Sequence, residues 1–315
     1  MDPDNCNKQN SLQSVEGLSN IEDEPAIIIN GKEISAIIEV ELLQRIEKLK
    51  LYGLVPGLAV IIASNRHDTD TYVRMKQQKA EKLGILFKLY KLDVTVPEDE
   101  LISLIKTLNH DPEIHGIIVQ LPLPDHINKN NVTSKISLDK DVDGFHETNM
   151  GKLALAGYNP NFIPCTPRGV WKMMKMNNID VKGKHVVILG KSNIVGLPMA
   201  MLMIKKDATV TVCNVDTPED LEIDLVRKAD ILISAVGKAF LVKEDWIKRG
   251  AIVIDVGINS IPDANYKSGF KLVGDVDFEN VKKRAKMITP VPGGVGPLTV
   301  IMLMKATIES CDRKL

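Results

Sequence analysis

Tyr72 and Lys76 stand four residues apart in a segment of helical periodicity, so their side chains share one face. A lysine there has two readings: an ordinary solvated charge, or a catalytic group turned toward a ligand. Lys79 and Lys82, further along the segment, read as solubilising charges. Gln120, within Val119-Gln120-Leu121-Pro122-Leu123, follows a short apolar run. That places it near the carboxyl edge of a sheet, where a polar side chain faces a ligand or caps a turn. Asp141-Val142-Asp143-Gly144 presents two carboxylates, but Asp-Gly is a turn pair and no ligand-rich loop follows. A turn, or a single ligand-binding carboxylate, fits better than a metal site. Cys165 has nothing nearby in sequence to activate a thiolate, so it reads as structural or cleft-lining.

A second set of residues points to phosphate recognition. From Val186 to Met201 the chain reads VVILGKSNIVGLPMAM: an apolar strand, Gly190, a short loop to Gly196, and a helix beginning near Pro198. Proline suits a helix's first turn, and the free N–H groups of a helix N-terminus attract a pyrophosphate. The spacing is not the standard G-x-G-x-x-G, because Ser192 holds the second glycine's place and Gly196 comes late. An ordinary strand–turn–helix connection would look the same. Two later strands, one running into Gly237 and one into Asn259, would end at the same crevice. The stretch from Thr289 to Pro297 is rich in Gly and Pro but apolar, suited to packing or to close backbone contact with a flat ligand.

These residues need a scaffold, and the hydrophobic pattern supplies one. Helical periodicity over Ile34–Leu51, Thr71–Leu83 and Pro97–Leu108 alternates with strand-like runs at Leu58–Ala63, Phe87–Leu92 and Gly116–Val119. Such alternation implies an α/β unit with a mostly parallel sheet. Between Asp141 and Arg168 the pattern loosens into Gly, Pro, Asn and Asp, which marks a domain junction. Alternation then restarts, with strands at His185–Leu189, Thr209–Cys213, Ile231–Ala235 and Ala251–Val256. This second unit reads as Rossmann-type. The last apolar segment, Leu298 to Glu309, reads as a helix docked on another element, with the first domain as a candidate.

Composition narrows the function classes. The 315 residues are 44% hydrophobic and carry 40 basic against 41 acidic side chains, a net charge of −1. The length favours two domains, and the balance gives no general attraction to nucleic acid or to an acidic membrane. No apolar run approaches the ~20 residues that span a bilayer. The four cysteines are far apart without zinc spacing, which fits a reducing compartment and no metal. Residues 1–24 are polar, acidic and free of arginine, and read as a flexible tail on a cytoplasmic protein.

The ordered set of motifs resembles the methylenetetrahydrofolate dehydrogenase/cyclohydrolase family. It comprises Tyr72-Val73-Arg74-Met75-Lys76, Val119 to Leu123, Lys140 to Gly144, Ile163 to Pro167, Gly190 to Gly196, Val273 to Val276 and Thr289 to Pro297. The resemblance runs from about Ile27 to Glu309. It implies two α/β domains, the second a Rossmann-type nucleotide-binding domain, with an active-site cleft between them, and a homodimer. The expected boundaries are 25–167 plus 298–315 for the folate-binding catalytic domain and 168–297 for the cofactor domain. By this resemblance Lys76 is the catalytic lysine, Gln120 the glutamine beside it and Tyr72 the pterin-facing tyrosine. Asp143 binds the pterin's amino edge, Pro292 and Gly293 form the loop against the folate, and Val119 borders the substrate. The cofactor lies along Gly190, Lys191, Ser192, Ile194, Val215, Gly237, Ile258 and Thr299.

One departure bears on cofactor choice. Members that use NADP often carry Ser or Arg where this chain has Val215, and Asp216 follows it. A carboxylate near the ribose favours NAD. Lys191, where relatives often have Arg, could pair with a 2′-phosphate as a point charge. The expectation is NADP preferred, with NAD possible.

The chemistry implied is hydride transfer from methylenetetrahydrofolate, followed by attack of water on the cationic methenyl product. Hydride transfer chiefly requires the folate and cofactor held face to face. Hydrolysis requires proton transfers, and a lysine with a reference pKa of ~10.4 serves only where its cleft lowers that value. A dehydrogenase without hydrolase activity, and a non-catalytic nucleotide-binding regulator, are the alternatives. Intact Tyr72, Lys76 and Gln120 count against the first, and the complete folate motifs against the second.

Overall fold

A computed structural model describes residues 25–64, 67–266 and 269–315; the expected tail, 1–24, lies outside them. The chain opens with β1 (Ile27–Ile28) and α1 (Gly31–Lys50), then β2 (Gly57–Ile62), α2 (His67–Leu83), β3 (Leu86–Lys91), α3 (Glu98–His110) and β4 (Gly116–Val119). Three helices follow, α4 (Lys129–Thr133), α5 (Glu147–Ala154) and α6 (Cys165–Met176). Next come β5 (His185–Leu189), α7 (Gly196–Ile204), β6 (Thr209–Cys213), α8 (Glu219–Val226), β7 (Ile231–Ser234) and β8 (Ile252–Asp255). A hairpin of β9 (Asn259–Pro262) and β10 (Phe270–Val273), α9 (Phe278–Val281), β11 (Met287–Ile288) and α10 (Val295–Asp312) complete the order.

Among the described residues the strands form two parallel sheets besides the antiparallel hairpin: β3-β2-β4, and β1-β11-β8-β7-β5-β6. β2 is buried along its whole length, as a central parallel strand covered on both faces must be. In the larger sheet the chain passes from β5 outward to β6, then back across β5 to β7. That reversal creates a crevice beyond the carboxyl ends of β5 and β7.

Local signals explain the element ends. Asn30 caps α1, its Oδ1 accepting from the backbone N–H groups of Lys32 (3.1 Å) and Glu33 (3.4 Å). Gly84 ends α2 at a φ of +79°, the left-handed position expected of a glycine stop. Helix α2 is also clamped from outside. Glu39, on α1 and 8% exposed, receives Lys79 Nζ at 2.5 Å and Lys82 Nζ at 2.5 Å. These lysines therefore do not serve as simple solubilising charges. Burial would raise the Glu39 carboxyl, but the two ammonium groups overcome this and hold it below its ordinary value.

One apolar core joins the two sheets. It runs from Leu58, Val60 and Ile118 of the small sheet, through α1, α6 and α10, to Val186, Ile188 and Ile254 of the large one. Helix α10 packs on α1 and α6 and reaches α2, β2 and β4. It meets α6 closely where a Cβ on Gly169 would sit 3.0 Å from that of Leu298. Ion pairs bolt its outer end, Arg168 Nη2 to Glu309 Oε1 (2.6 Å) and Arg45 Nε to Asp312 Oδ2 (2.8 Å).

Several elements depart from the expected pattern. The loosened region holds α5 and the start of α6, and Ile27 and Ile28 pair with Met287 and Ile288 of the large sheet rather than with the small one. Glu39→Ala should strand two ammonium groups on α2 and lower stability by about 1–3 kcal/mol. Urea unfolding measures this, and an unchanged midpoint would dissolve the clamp.

Candidate active site

Strand β4 delivers the first site residue. Its pairing with β2 extends one residue beyond Val119, with Gln120 N–H donating to Ile61 O at 2.9 Å, so Gln120 stands at the carboxyl edge. Its side chain is oriented from both ends. Nε2 donates to Leu121 O (3.0 Å), which leaves Oε1 to accept from Lys76 Nζ (2.7 Å). Lys76 reaches it from α2, a different element 44 residues away in sequence.

The turn between α4 and α5 delivers Asp143, and the neighbouring Asp141 shapes that turn. Asp141, 2% exposed, accepts from the N–H groups of Phe145 (3.2 Å) and His146 (2.9 Å) and from Asn149 Nδ2 (2.7 Å). Burial pushes its carboxyl up to about 7 despite those donors. Gly144 adopts a φ of +74°, and a Cβ there would lie 2.7 Å from Pro164 N. Only glycine lets this turn close against the chain entering α6. The Asp143 carboxyl, open to the cavity but enclosed elsewhere, is raised by burial and pulled back by the charge of Lys76.

These groups line one cavity of about 150 Å³ with Val119, Leu121, Phe145, Cys165, Thr166, Ile194 and Thr299. Thr166 of α6 and Thr299 of α10 face each other, Oγ1 to Oγ1 3.0 Å. Ile194 enters from the turn between β5 and α7, so the cavity touches both sheets' territory. Cys165 is buried with its thiol on Val142 O at 3.4 Å, and burial raises it further from thiolate. It lines the cleft without being activated.

Of the residues singled out by sequence, the structure brings Lys76, Val119, Gln120, Asp143, Ile194 and Thr299 to this one cavity. Tyr72 lies one turn before Lys76 on α2, partly exposed and outside the cavity wall. Pro292 and Gly293 lie on the loop leading into α10. Leu121, Phe145 and Thr166 also line the cavity, and sequence reasoning did not single them out as binding residues. Among the described residues no three His, Cys, Asp or Glu side chains converge as a metal-binding group.

The remaining candidates follow the carboxyl edge of the large sheet. Gly190 has a φ of +103°, and a Cβ there would lie 2.4 Å from Ala235 O. At Gly196 a Cβ would lie 1.9 Å from Gly190 O, so both glycines are required for β5, the turn and α7 to approach. Ser192 Oγ accepts from Val195 N–H at 3.2 Å, which fixes the turn. Beside it, Asp275 accepts from the N–H groups of Val236 (2.8 Å), Gly237 (3.3 Å) and Lys238 (3.0 Å) and from Asn259 Nδ2 (2.9 Å). Asp255, pushed by burial to about 7, accepts in turn from Asp275 N–H (3.1 Å) and Gly257 N–H (2.9 Å). These two carboxyls hold the edge that presents Gly237 and the exposed Ile258, and sequence reasoning gave neither a role. The tight glycine turn at a switch point, opening onto a helix, fits a dinucleotide pyrophosphate.

Such a sheet, facing an amine, an amide and a carboxyl held on a second α/β unit, defines a nucleotide-dependent enzyme with its chemistry between two units. More closely, the chain belongs to the tetrahydrofolate dehydrogenase/cyclohydrolase family. Residues 29–143 match its catalytic domain and 164–315 its NAD(P)-binding domain. The chain is 48% identical over 292 residues to bifunctional protein FolD 2 of Arabidopsis thaliana, covering 92% of this chain and 97% of that one. It is 48% identical over 290 residues to bifunctional protein FolD of Bacillus subtilis, covering 92% and 99%. The crystal structure of the bifunctional FolD dehydrogenase/cyclohydrolase of Campylobacter jejuni is similar at a TM-score of 0.85 and 46% identity, over 92% of this chain and all (100%) of that one. The FolD of Trypanosoma brucei, solved with NADP and an inhibitor, gives 0.89 and 41%, over 92% and 99%.

The raised Asp143 carboxyl makes a directional prediction. Its ionised form is lost as pH falls, starting above the ordinary carboxylate range of about 4, so kcat/KM for folate should begin to fall at a higher pH than an ordinary carboxylate would give. Asp143→Asn should raise the folate KM of both activities by roughly 10- to 100-fold, leave the cofactor KM unchanged, and remove that acidic limb. A variant with wild-type folate KM would free Asp143 from any part in binding.

Proposed function

We propose that the cavity carries both reactions of the family at one site. The first is NADP-dependent oxidation of 5,10-methylenetetrahydrofolate to the 5,10-methenyl form; the second is its hydrolysis to 10-formyltetrahydrofolate. The observation that carries this reading is the Lys76–Gln120 hydrogen bond of 2.7 Å within the cavity that Asp143 and Thr299 also line. A pterin ring offers N–H donors at its amino edge, and the Asp143 carboxyl is an acceptor of matching chemistry. The family resemblance supports Tyr72, on the exposed side of α2, as the pterin-facing tyrosine, and Pro292 and Gly293 as the loop against the folate.

When bound, the nicotinamide ring accepts the hydride that leaves the methylene carbon. The protein's part in that step is placement, since hydride departure needs no protein base. Hydrolysis asks more of the side chains. Water adds its oxygen to the methenyl carbon and must lose a proton, which a neutral Lys76 amine accepts. The carbon–nitrogen bond then breaks as Lys76 returns that proton to the departing ring nitrogen, while the hydroxyl on the carbon releases its own proton to solvent and becomes the formyl oxygen. Gln120 serves as a neutral partner that orients the amine, because its amide oxygen accepts a hydrogen bond without adding a countercharge to hold Lys76 protonated.

Among the described residues no helix is long and apolar enough to cross a membrane. A reducing, cytoplasmic setting suits Cys165, Cys213 and Cys311, which are buried free thiols. A homodimer accords with the family, and the exposed Val212 on the outer strand β6 gives such contact an apolar element. Purified protein assayed with methylenetetrahydrofolate and NADP tests the core reading. Accumulation of methenyltetrahydrofolate without its hydrolysis would reduce the chain to a dehydrogenase.

Lys76 gives the sharper test. General acid–base catalysis contributes about 100- to 10,000-fold, so Lys76→Ala or Lys76→Gln should lose cyclohydrolase activity by that factor while part of the dehydrogenase survives. Lys76→Arg keeps the charge but cannot readily become neutral, and it should fail equally in hydrolysis. Rescue by arginine would reassign Lys76 to placement or charge. Full hydrolysis in folded Lys76→Ala would remove it from the mechanism.

A further inference from the structure

Two charges of opposite sign meet at the outer end of the nucleotide crevice. Lys191 projects from the turn after β5 and Asp216 from the turn after β6, with Nζ 3.4 Å from Oδ2. Both are largely solvent-exposed, 62% and 77% at the side chain. The two turns are tied together, since Gly190 N–H donates to Cys213 O at 2.8 Å. The second turn is also pinned internally. Asn214 N–H donates to Thr217 Oγ1 (3.0 Å) and Asp216 N–H to Asn214 Oδ1 (3.1 Å). The backbone of Asp216 is therefore fixed beside Lys191. Val215, 94% exposed, offers no side-chain hydrogen bond.

In a sheet of this winding, a dinucleotide at the β5–β7 crevice lays its adenosine ribose at the carboxyl end of β6. The position of the 2′ substituent then coincides with the Lys191–Asp216 pair. We propose that Asp216 is a specificity-determining residue that tempers the preference for NADP, so that this chain turns over NAD as well. The inference rests on the proposed dehydrogenase reading and deepens it. With a 2′-hydroxyl, Asp216 accepts its hydrogen bond while Lys191 stays paired, and no charge is left alone. With a 2′-phosphate, Lys191 must turn from Asp216 toward the phosphate, and the carboxylate remains beside a group of its own sign. Lysine meets the phosphate as a point charge rather than as a bidentate fork, so its gain is modest. The opposing carboxylate cancels much of it.

Exposure makes the substitution clean. A solvent-exposed ion pair contributes little to folding, so Asp216→Asn should unfold at the wild-type temperature. A unit charge a few ångströms from the phosphate, in this exposed setting, alters affinity by roughly tenfold. The wild-type protein should therefore favour NADP over NAD in kcat/KM by no more than about tenfold. Asp216→Asn should raise that ratio by about a further tenfold, chiefly through the NADP KM, and Lys191→Ala should lower it by a similar factor. Calorimetry with 2′,5′-ADP and with 5′-AMP, without folate, reads the same discrimination independently of turnover. A wild-type enzyme that does not use NAD, or an Asp216→Asn variant whose 2′,5′-ADP affinity is unchanged, would overturn the proposal. Absence of folate-dependent turnover with normal discrimination between the two nucleotides would instead sink the catalytic reading and leave this one standing.

Discussion

The spacing between the two halves of the site depends on the burial of α10. A nearly all-apolar helix has no stable position at a surface, and α10 meets this constraint by packing on α1 and α6 while reaching β2 and β4. Leu298 and Ile301 are fully buried, each worth about 1.5–3 kcal/mol relative to exposure. The same packing shapes the cavity. Thr299, on the first turn of α10, bonds Thr166 on α6, and both line the cavity beside Gln120 and Ile194. Movement of α10 would therefore shift the cavity wall formed by Thr166 and Thr299 before it touched either sheet.

A second constraint is the cost of burying carboxylates, which the fold turns to architectural use. Asp141, Asp255 and Asp275 are each nearly inaccessible, and each gathers backbone N–H groups that would otherwise point into loops without partners. Loops at the carboxyl edge of a parallel sheet have no ladder to complete, so side-chain acceptors replace it. Asp141 shapes the turn that aims Asp143, while Asp255 and Asp275 shape the edge that presents Gly237 and Ile258. The candidate binding residues are thus placed by buried carboxyls that serve the backbone.

Legibility in the sequence followed burial and regularity. The central strands β2, β4, β5 and β7 are short apolar runs bounded by Gly or Asp, and their expected limits differ from the observed ones by a residue or so. The hairpin β9–β10 was not legible, because its largely exposed residues carry no alternation a core would impose. Helix α5 hides in a segment of Gly, Asn and Asp whose composition reads as loop, and its stability comes from Asn149 and Leu153 being buried. The Glu39 clamp joins residues 40 and more positions apart, so no local pattern announces it. Cavity-lining residues were legible where a motif carried them, as with Lys76, Gln120 and Asp143. Phe145 and Thr166 were missed as cavity-lining residues because only the folded turn and the α6–α10 contact bring them there.

The proposal that one cavity suffices for two reactions rests on what each demands. Oxidation needs geometry and no proton carrier, which the cavity walls can supply, with Asp143, Ile194 and Thr299 among them. Hydrolysis needs a group that can lose and regain a proton at the same carbon, and Lys76 is already bonded to Gln120 at that place. The methenyl product of the first step is cationic, so a neutral amine can stand beside it where a protonated one would be repelled. Gln120 suits that proposal for a reason of charge: its amide oxygen accepts the Lys76 hydrogen bond as a carboxylate would, but adds no negative charge beside the amine.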